Sequence, residues 1–472
     1  MRLLFALVTV AVGCYRPTIN EGAPCATDEQ CPGALRCYDG HCKRNPNDIV
    51  TSDATEADAP EPLIDAQLGC VCADADSIAC DGDPAIACAA GCVTEGDNAA
   101  RCREVIPSNN APRDVSMVSQ AITIAAATTF NTDTGEITGG ATRAAGEGVI
   151  AGIGFSKHTS QGAALGVFVM HRLQVDASAI VKLTGSRSAI LVVATTATID
   201  GIIDGSAGCP GDVSCAGPGG GAGAAYNGTA GGCGAGQPGT FDATDDDDAG
   251  GGGGAGGLAG EAGGAAGAFS AGAGGIACVD PTLEPLIGGS GGGGGGPGEA
   301  AVVVRGGGGG GALQITAFET LVVSGGITMA GAGGAGGTRS PGESNSAAGS
   351  GGGGGGSVLL EAPEVEVTGL VAANGGGGGG GGSSVYSGAA GGSGLPDTAQ
   401  AVGGNPGQFG GGSKGGNGGS LAGVATKANN VADDENGGGG GGGAGTIYIR
   451  SRTSMLPGQI SPAHGSGMLN VQ

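Results

Sequence analysis

The chain has 472 residues, a formal net charge of −24 and 112 glycines, with no tryptophan and aromatics at 3%. The glycines come in runs and doublets without a sustained G-X-Y period, which excludes collagen, and four histidines with few aromatics leave little with which to line an enzyme's substrate pocket. Net charge and a low aliphatic content would signal disorder if evenly spread, but beyond residue 150 the apolar residues gather into short alternating runs between glycine tracts.

Arg2 supplies a positive start, and residues 3–12 are almost wholly apolar, too short to span a bilayer and of signal-peptide length. Ala11-Val12-Gly13-Cys14 resembles the lipobox of bacterial lipoproteins, in which cleavage precedes a cysteine that receives diacylglycerol; Ala11 stands where the usual pattern has leucine. The resemblance implies a signal peptide over 1–13, lipidation at Cys14 and, with Tyr15 rather than aspartate next, an outer-membrane or cell-surface protein. No other stretch reaches about 18 apolar residues, so attachment to the membrane is expected through the lipid and not through a span.

The cysteine count of 15 is odd, and setting Cys14 aside as the lipid carrier makes it even. The rest fall into three even groups: Cys25, Cys31, Cys37 and Cys42; Cys70, Cys72, Cys80, Cys88, Cys92 and Cys102; and Cys209, Cys215, Cys233 and Cys278. Even counts predict disulfides within each group, with connectivity open. The C-x5-C-x5-C-x4-C spacing of the first group is a poor zinc pattern. A module that short cannot bury a core, so residues 14–44 read as a crosslinked knot. Residues 45–69 carry acids and no bases among Pro, Ala and Thr, which predicts a disordered spacer that reaches roughly 80 Å when fully extended. Residues 70–110 read as a second cysteine-rich module; its Asp74, Asp76, Asp81 and Asp83 lack the EF-hand order.

From residue 111 the signals are of strands: Gln120 to Ile124, Ala164 to Met170 and Leu173 to Leu183 alternate, and helix formers are few. A unit then recurs at Ala189 to Gly205, Ala312 to Ala330 and Val358 to Ala373, with Thr446 to Arg450 as a truncated last copy. Each unit orders a strand, a small corner residue, a second strand, a glycine turn and a third strand. That is the sequence of one coil of a parallel β-helix, which must stack to bury its face. The expected fold is therefore mainly β, a solenoid over 111–455 interrupted by glycine-rich insertions and followed by a C-terminal tail over 456–472. The insertions are either flexible linkers or polyglycine II helices packed side by side through N–H···O and Cα–H···O bonds. The cysteines inside them favour packing.

Asp245, Asp246, Asp247 and Asp248 are weak candidates for a metal, since adjacent acids usually form a solvated turn; no cofactor is expected. The calcium-binding G-G-x-G-x-D nonapeptide is absent from the tracts. His158, His171 and His464 stand apart from one another and from any nucleophile pattern, and Gly-x-Gly-x-x-Gly matches follow from composition alone. Lys182, Arg187, Asp200 and Asp204 are the charged residues near a strand that a polysaccharide-active β-helix would use.

The lipobox, the small knot, the stretch from Gly91 to Asn109, the FNTDTG segment from Phe130 to Gly135, the GVFV and LTGSR strands and the glycine-inserted coils together resemble a group of glycine-rich surface lipoproteins of myxobacteria. In style the tracts are also similar to mycobacterial PGRS-type surface domains. Neither resemblance implies a catalytic residue. The first resemblance, with the lipobox, implies a lipid-anchored surface module, and the expected function is non-catalytic, structural or adhesive. The module would meet the membrane through its lipid, and extracellular polysaccharide or other surface proteins through a regular, low-charge, side-chain-poor face, with no nucleic acid. A pectate-lyase-like polysaccharide protein and a periplasmic or envelope scaffold are the alternatives.

Overall fold

The computed structural model describes residues 69–80, 83–94, 100–209, 212–241, 247–298, 303–339, 346–408, 411–432 and 435–472, and the backbone of 35–38 and 41–44. Cys14, Cys25, Cys31, most of the 45–69 spacer, Asp245 and Asp246 lie outside the described residues. The chain divides into two units, Met1–Ala66 and Gln67–Gln472. In the first, Leu35–Tyr38 pairs antiparallel with His41–Arg44, which places Cys37 opposite Cys42.

The second unit is mainly β, with no helix among the described residues. Ile153–Ser160 pairs antiparallel with Gly148–Ile150 and Ala163–Met170, Ile137–Gly139 with Thr128–Asn131, and the short strands of the cysteine-rich module with one another. Most of the unit's strands pair in three parallel columns. The first stacks Ala163–Met170, Ser188–Val193, Ala312–Ala317, the first half of Ser357–Val367, the first half of Thr446–Met455, and Gly465–Met468. The second stacks Ala121–Ile124, Arg172–Val175, Ala197–Ile199, Thr320–Val323, and the later halves of Ser357–Val367 and Thr446–Met455. The third stacks Thr128–Asn131, Ile180–Thr184, Ile202–Asp204, Gly326–Thr328, Leu370–Ala372 and Gln459–Ser461.

Alternation explains the core. In-register pairing brings like positions together, so Phe168, Leu191, Ile315, Leu360 and Ile449 form one inward ladder. Val181, Ile203, Ile327, Val371 and Ile460 form another, and both belong to a single buried cluster. At the first-strand end, Phe155 and Phe130 pack on Phe168 with ring centroids 4.9 and 5.1 Å away. The loop beyond them is organised by Arg143, only 2% exposed, whose guanidinium donates to the carbonyl oxygens of Gly135, Ala144, Gly148 and Ile153.

Two expectations need correction. Residues 456–472 are not a tail, because Gln459–Ser461 and Gly465–Met468 extend the third and first columns. Likewise the copy at Thr446 is complete, and two further sets of strands, over 121–131 and 163–184, precede the copies read from the sequence. Their strands are expected from the alternation of Gln120 to Ile124, Ala164 to Met170 and Leu173 to Leu183, but not as copies of the unit, because no glycine tract punctuates them.

Every long insertion leaves the third column and returns to the first. Inside the insertions the hydrogen bonds repeat every three residues. The N–H groups of Gly351 and Gly354 donate to the oxygens of Gly293 and Ser290, those of Gly352 and Gly355 to Gly440 and Gly443, and those of Gly353 and Gly356 to Ala332 and Met329. Each tract thus meets three neighbours at successive residues. Side chains are excluded by proximity and not by backbone angle: a Cβ on Gly353 would lie 1.9 Å from the Gly308 oxygen, and its φ is not positive. Residues 351–356 and 437–445 are buried throughout.

Disulfides link Cys70–Cys80, Cys72–Cys92 and Cys88–Cys102 in the cysteine-rich module, and Cys209–Cys215 and Cys233–Cys278 in the first insertion.

Candidate functional site

The outer faces of the three columns differ in what covers them. Over the first, Leu165, Val167, Ile190, Val192 and Leu359 form a second apolar cluster under Ala111, Val115 and Val118 on one side and Val279, Leu283 and Leu286 on the other. The outer face of the third column is partly closed by the insertions, so that Ala372 and Ser461 are buried while Ile180 and Ile202 remain exposed.

The second column keeps most of its outer face open, with the cysteine-rich module standing beside Thr320, Glu364 and Thr453. Strand alternation and register line up Thr123, Gln174, Thr198, Val322, Glu366 and Met455 in one row. Arg172, Thr320, Glu364 and Thr453 stand in the row beside it. Every one of these residues is half-buried or exposed. Parallel strands repeat about every 4.8 Å, so the face presents hydroxyl, amide and carboxylate groups at a regular pitch. Asp200 at its edge accepts from Gln174 Nε2 at 2.8 Å and from the Ser324 hydroxyl.

A buried polar cluster lies beneath the cover of the first column. Glu361 Oε1 accepts from Ser108 Oγ at 2.6 Å, and its Oε2 accepts from Thr316 Oγ1 at 2.8 Å and Gln314 Nε2 at 2.9 Å. Arg450 Nη1 lies 3.9 Å from the same carboxylate, donates to Ser108 Oγ at 2.5 Å and pairs with Glu284 at 2.5 Å. Burial pushes the Glu361 carboxyl above its ordinary value, against the opposing pull of Ser108, Thr316 and Arg450. Asn109 fastens the same segment, donating to Gln314 Oε1 at 3.0 Å and to the Leu283 oxygen at 2.9 Å, and accepting from the Leu286 N–H at 3.0 Å. Sequence reasoning missed this cluster. A signal was present: Val358-Leu-Leu-Glu-Ala is apolar at both parities, so both faces of that strand are covered and the acid among them is buried.

The charged residues singled out for polysaccharide chemistry are divided among separate contacts. Lys182 Nζ sits 3.0 Å from Asp204, Arg187 faces Asp133 at 3.7 Å, and Asp200 belongs to the second-column edge. His158 is not isolated as expected, for its Nε2 lies 2.7 Å from Ser156 Oγ. The two side chains share one face of a single strand, two residues apart. Asp247 and Asp248 are buried, and Asp248 Oδ2 accepts from the Gly298 N–H at 2.9 Å. No group of three or more His, Cys, Asp or Glu side chains able to hold a metal ion occurs among the described residues. Asp74 caps its own turn at the Asp76 N–H, while Asp76 pairs with Arg452. A cleft of about 730 Å³ separates the cysteine-rich module from the corner at Phe318 and Glu319, with Arg103, Arg113 and Asp114 on its walls. No described helix is long and apolar enough to cross a membrane. No protein-family model, curated protein or solved structure matches the chain.

Proposed function

We propose that the chain is a lipid-anchored structural or adhesive protein of the outer membrane or cell surface, non-catalytic, with Cys14 carrying the lipid and residues 45–69 serving as the spacer. In this reading the three columns are the faces of a parallel β-helix, and the insertions pack beside it as polyglycine II helices. The three-residue hydrogen-bond period and the common corner from which the insertions leave support both assignments.

The observation that carries the proposal is the open outer face of the second column. Much of the rest of the stack is covered by insertions, by the 105–119 segment or by the cysteine-rich module. Among the described residues this face carries a long regular array of mostly polar side chains, with Val322 and Met455 among them, which suits a hydrated polysaccharide or another cell surface. The test uses the full chain displayed on cells and the purified protein on arrayed glycans. Thr198→Arg combined with Val322→Arg is expected to abolish binding at unchanged melting temperature; undiminished binding removes the face from consideration. Resistance to protease on intact cells would instead assign the chain to a periplasmic scaffold. A Cys14→Ser protein that still fractionates with membranes would sink the anchor.

A further inference from the structure

Residues 105–119 run against the direction in which the strands stack. At one end Val105 bridges Val471 antiparallel, and the Ile106 N–H donates to the Asn470 oxygen at 2.8 Å. Ser108 then reaches Glu361 and Arg450, on the last two long strands, and Asn109 reaches Gln314 one strand earlier. Asn110 donates to Ser160 Oγ at 3.1 Å, and Val118 packs in the cluster formed by Val167 and Val169 near the first strands. Only after crossing the whole column does the chain enter Ala121–Ile124 and begin to stack.

We infer that residues 105–119 are a latch, which closes over the first column only when the last strands are in place and for which Glu361 is the catch. Each half of the catch is incomplete alone. Without Ser108, the carboxylate of Glu361 loses two of its donors, the Ser108 N–H at 3.2 Å and its hydroxyl, and the Arg450 guanidinium loses an acceptor. Without residues 446–472, Ser108 has no Arg450 and Val105 no Val471 to pair with. The groups facing Glu361 are Ser108, Gln314 and Thr316, which do not titrate, and Arg450, whose own partner is Glu284. Closure helps to hold the cysteine-rich module as well, since Ala90 packs with Val105 and Leu469, while Cys88–Cys102 closes the module just before the latch begins. Opening therefore loosens residues 69–104, which Arg452 and Gln472 still grip, and uncovers the part of the apolar face that lies under Ala111, Val115 and Val118. The inference does not depend on the proposed surface function.

The test is tryptic cleavage of the full-length protein after Arg103 and Arg113, followed beside hydrogen exchange of the strands. Ser108→Ala, and separately a chain lacking residues 465–472, are expected to raise the cleavage rate at both sites by on the order of tenfold. Exchange protection of Ser188–Val193 and Ala312–Ala317 stays as in the parent. Glu361→Ala, which strips the acceptor from every donor, gives the larger increase. Cleavage unchanged in both Ser108→Ala and the shortened chain overturns the latch. So does loss of strand protection in Ser108→Ala, which would make the segment an inseparable part of the core.

Discussion

At the scale of single residues, two glycines of similar burial separate the reasons for conserving space. Gly351 would place a Cβ 1.9 Å from the Gly252 oxygen, whereas at Gly326 the nearest atom is 3.8 Å away and φ is ordinary. Gly351→Ala is expected to cost about 1–3 kcal/mol or more through overpacking, and Gly326→Ala to be neutral or stabilising by up to about 1 kcal/mol; denaturant melts of the two proteins check both. Arg143 gives a second case. Its cation is held by four backbone oxygens and the face of Phe155, with no ion pair among the described residues, so Arg143→Met leaves those oxygens unmet at about 1–3 kcal/mol. Faster hydrogen exchange confined to residues 135–153 is the expected sign. Arg143 was not legible as a buried charge because its partners are backbone oxygens of its own loop, which no side-chain pattern announces; at Glu361 the apolar run signalled burial but not the partners, Ser108, Gln314, Thr316 and Arg450.

At the scale of elements, the inward ladders make neighbouring strands share each side chain's burial. Ile315→Ala removes a rung between Leu191 and Leu360 and is expected to lose about 2–5 kcal/mol, measured as a shift in unfolding midpoint. The strand signals after residue 111 were legible, since Val and Ile at alternate positions fix which face turns inward. The glycine turns between the second and third strands were legible for the same reason. What the pattern missed was the count of strand sets. The early ones lack glycine punctuation, and the last continues past the short apolar run at Thr446 to Arg450 into Gln459–Ser461. The open face of the second column was half legible: its alternation showed polar outward positions, but nothing local told which outward faces other segments would cover.

At the scale of the whole molecule, charge and packing meet at Glu361. Its carboxyl titrates above the ordinary value of 4.5 in the folded chain, chiefly through burial, so the folded state holds that proton more tightly than the unfolded one. Its contribution is therefore greatest below about pH 4.5 and is lost as pH rises through the folded value. Melting temperature followed from roughly pH 4 to 8 should fall more steeply in the parent than in Glu361→Gln, which carries no titrating proton; parallel curves would contradict this. The three-residue period of the glycine tracts has a consequence of another kind, for how such a chain can change length. Removing one glycine from 351–356 turns every later N–H by about a third of a revolution and points it at the wrong neighbour, while removing three restores each donor to its own row. Length variation in these tracts is thus quantised: the tracts can lengthen or shorten in triplets of residues, and single-residue slips are the ones that unfold.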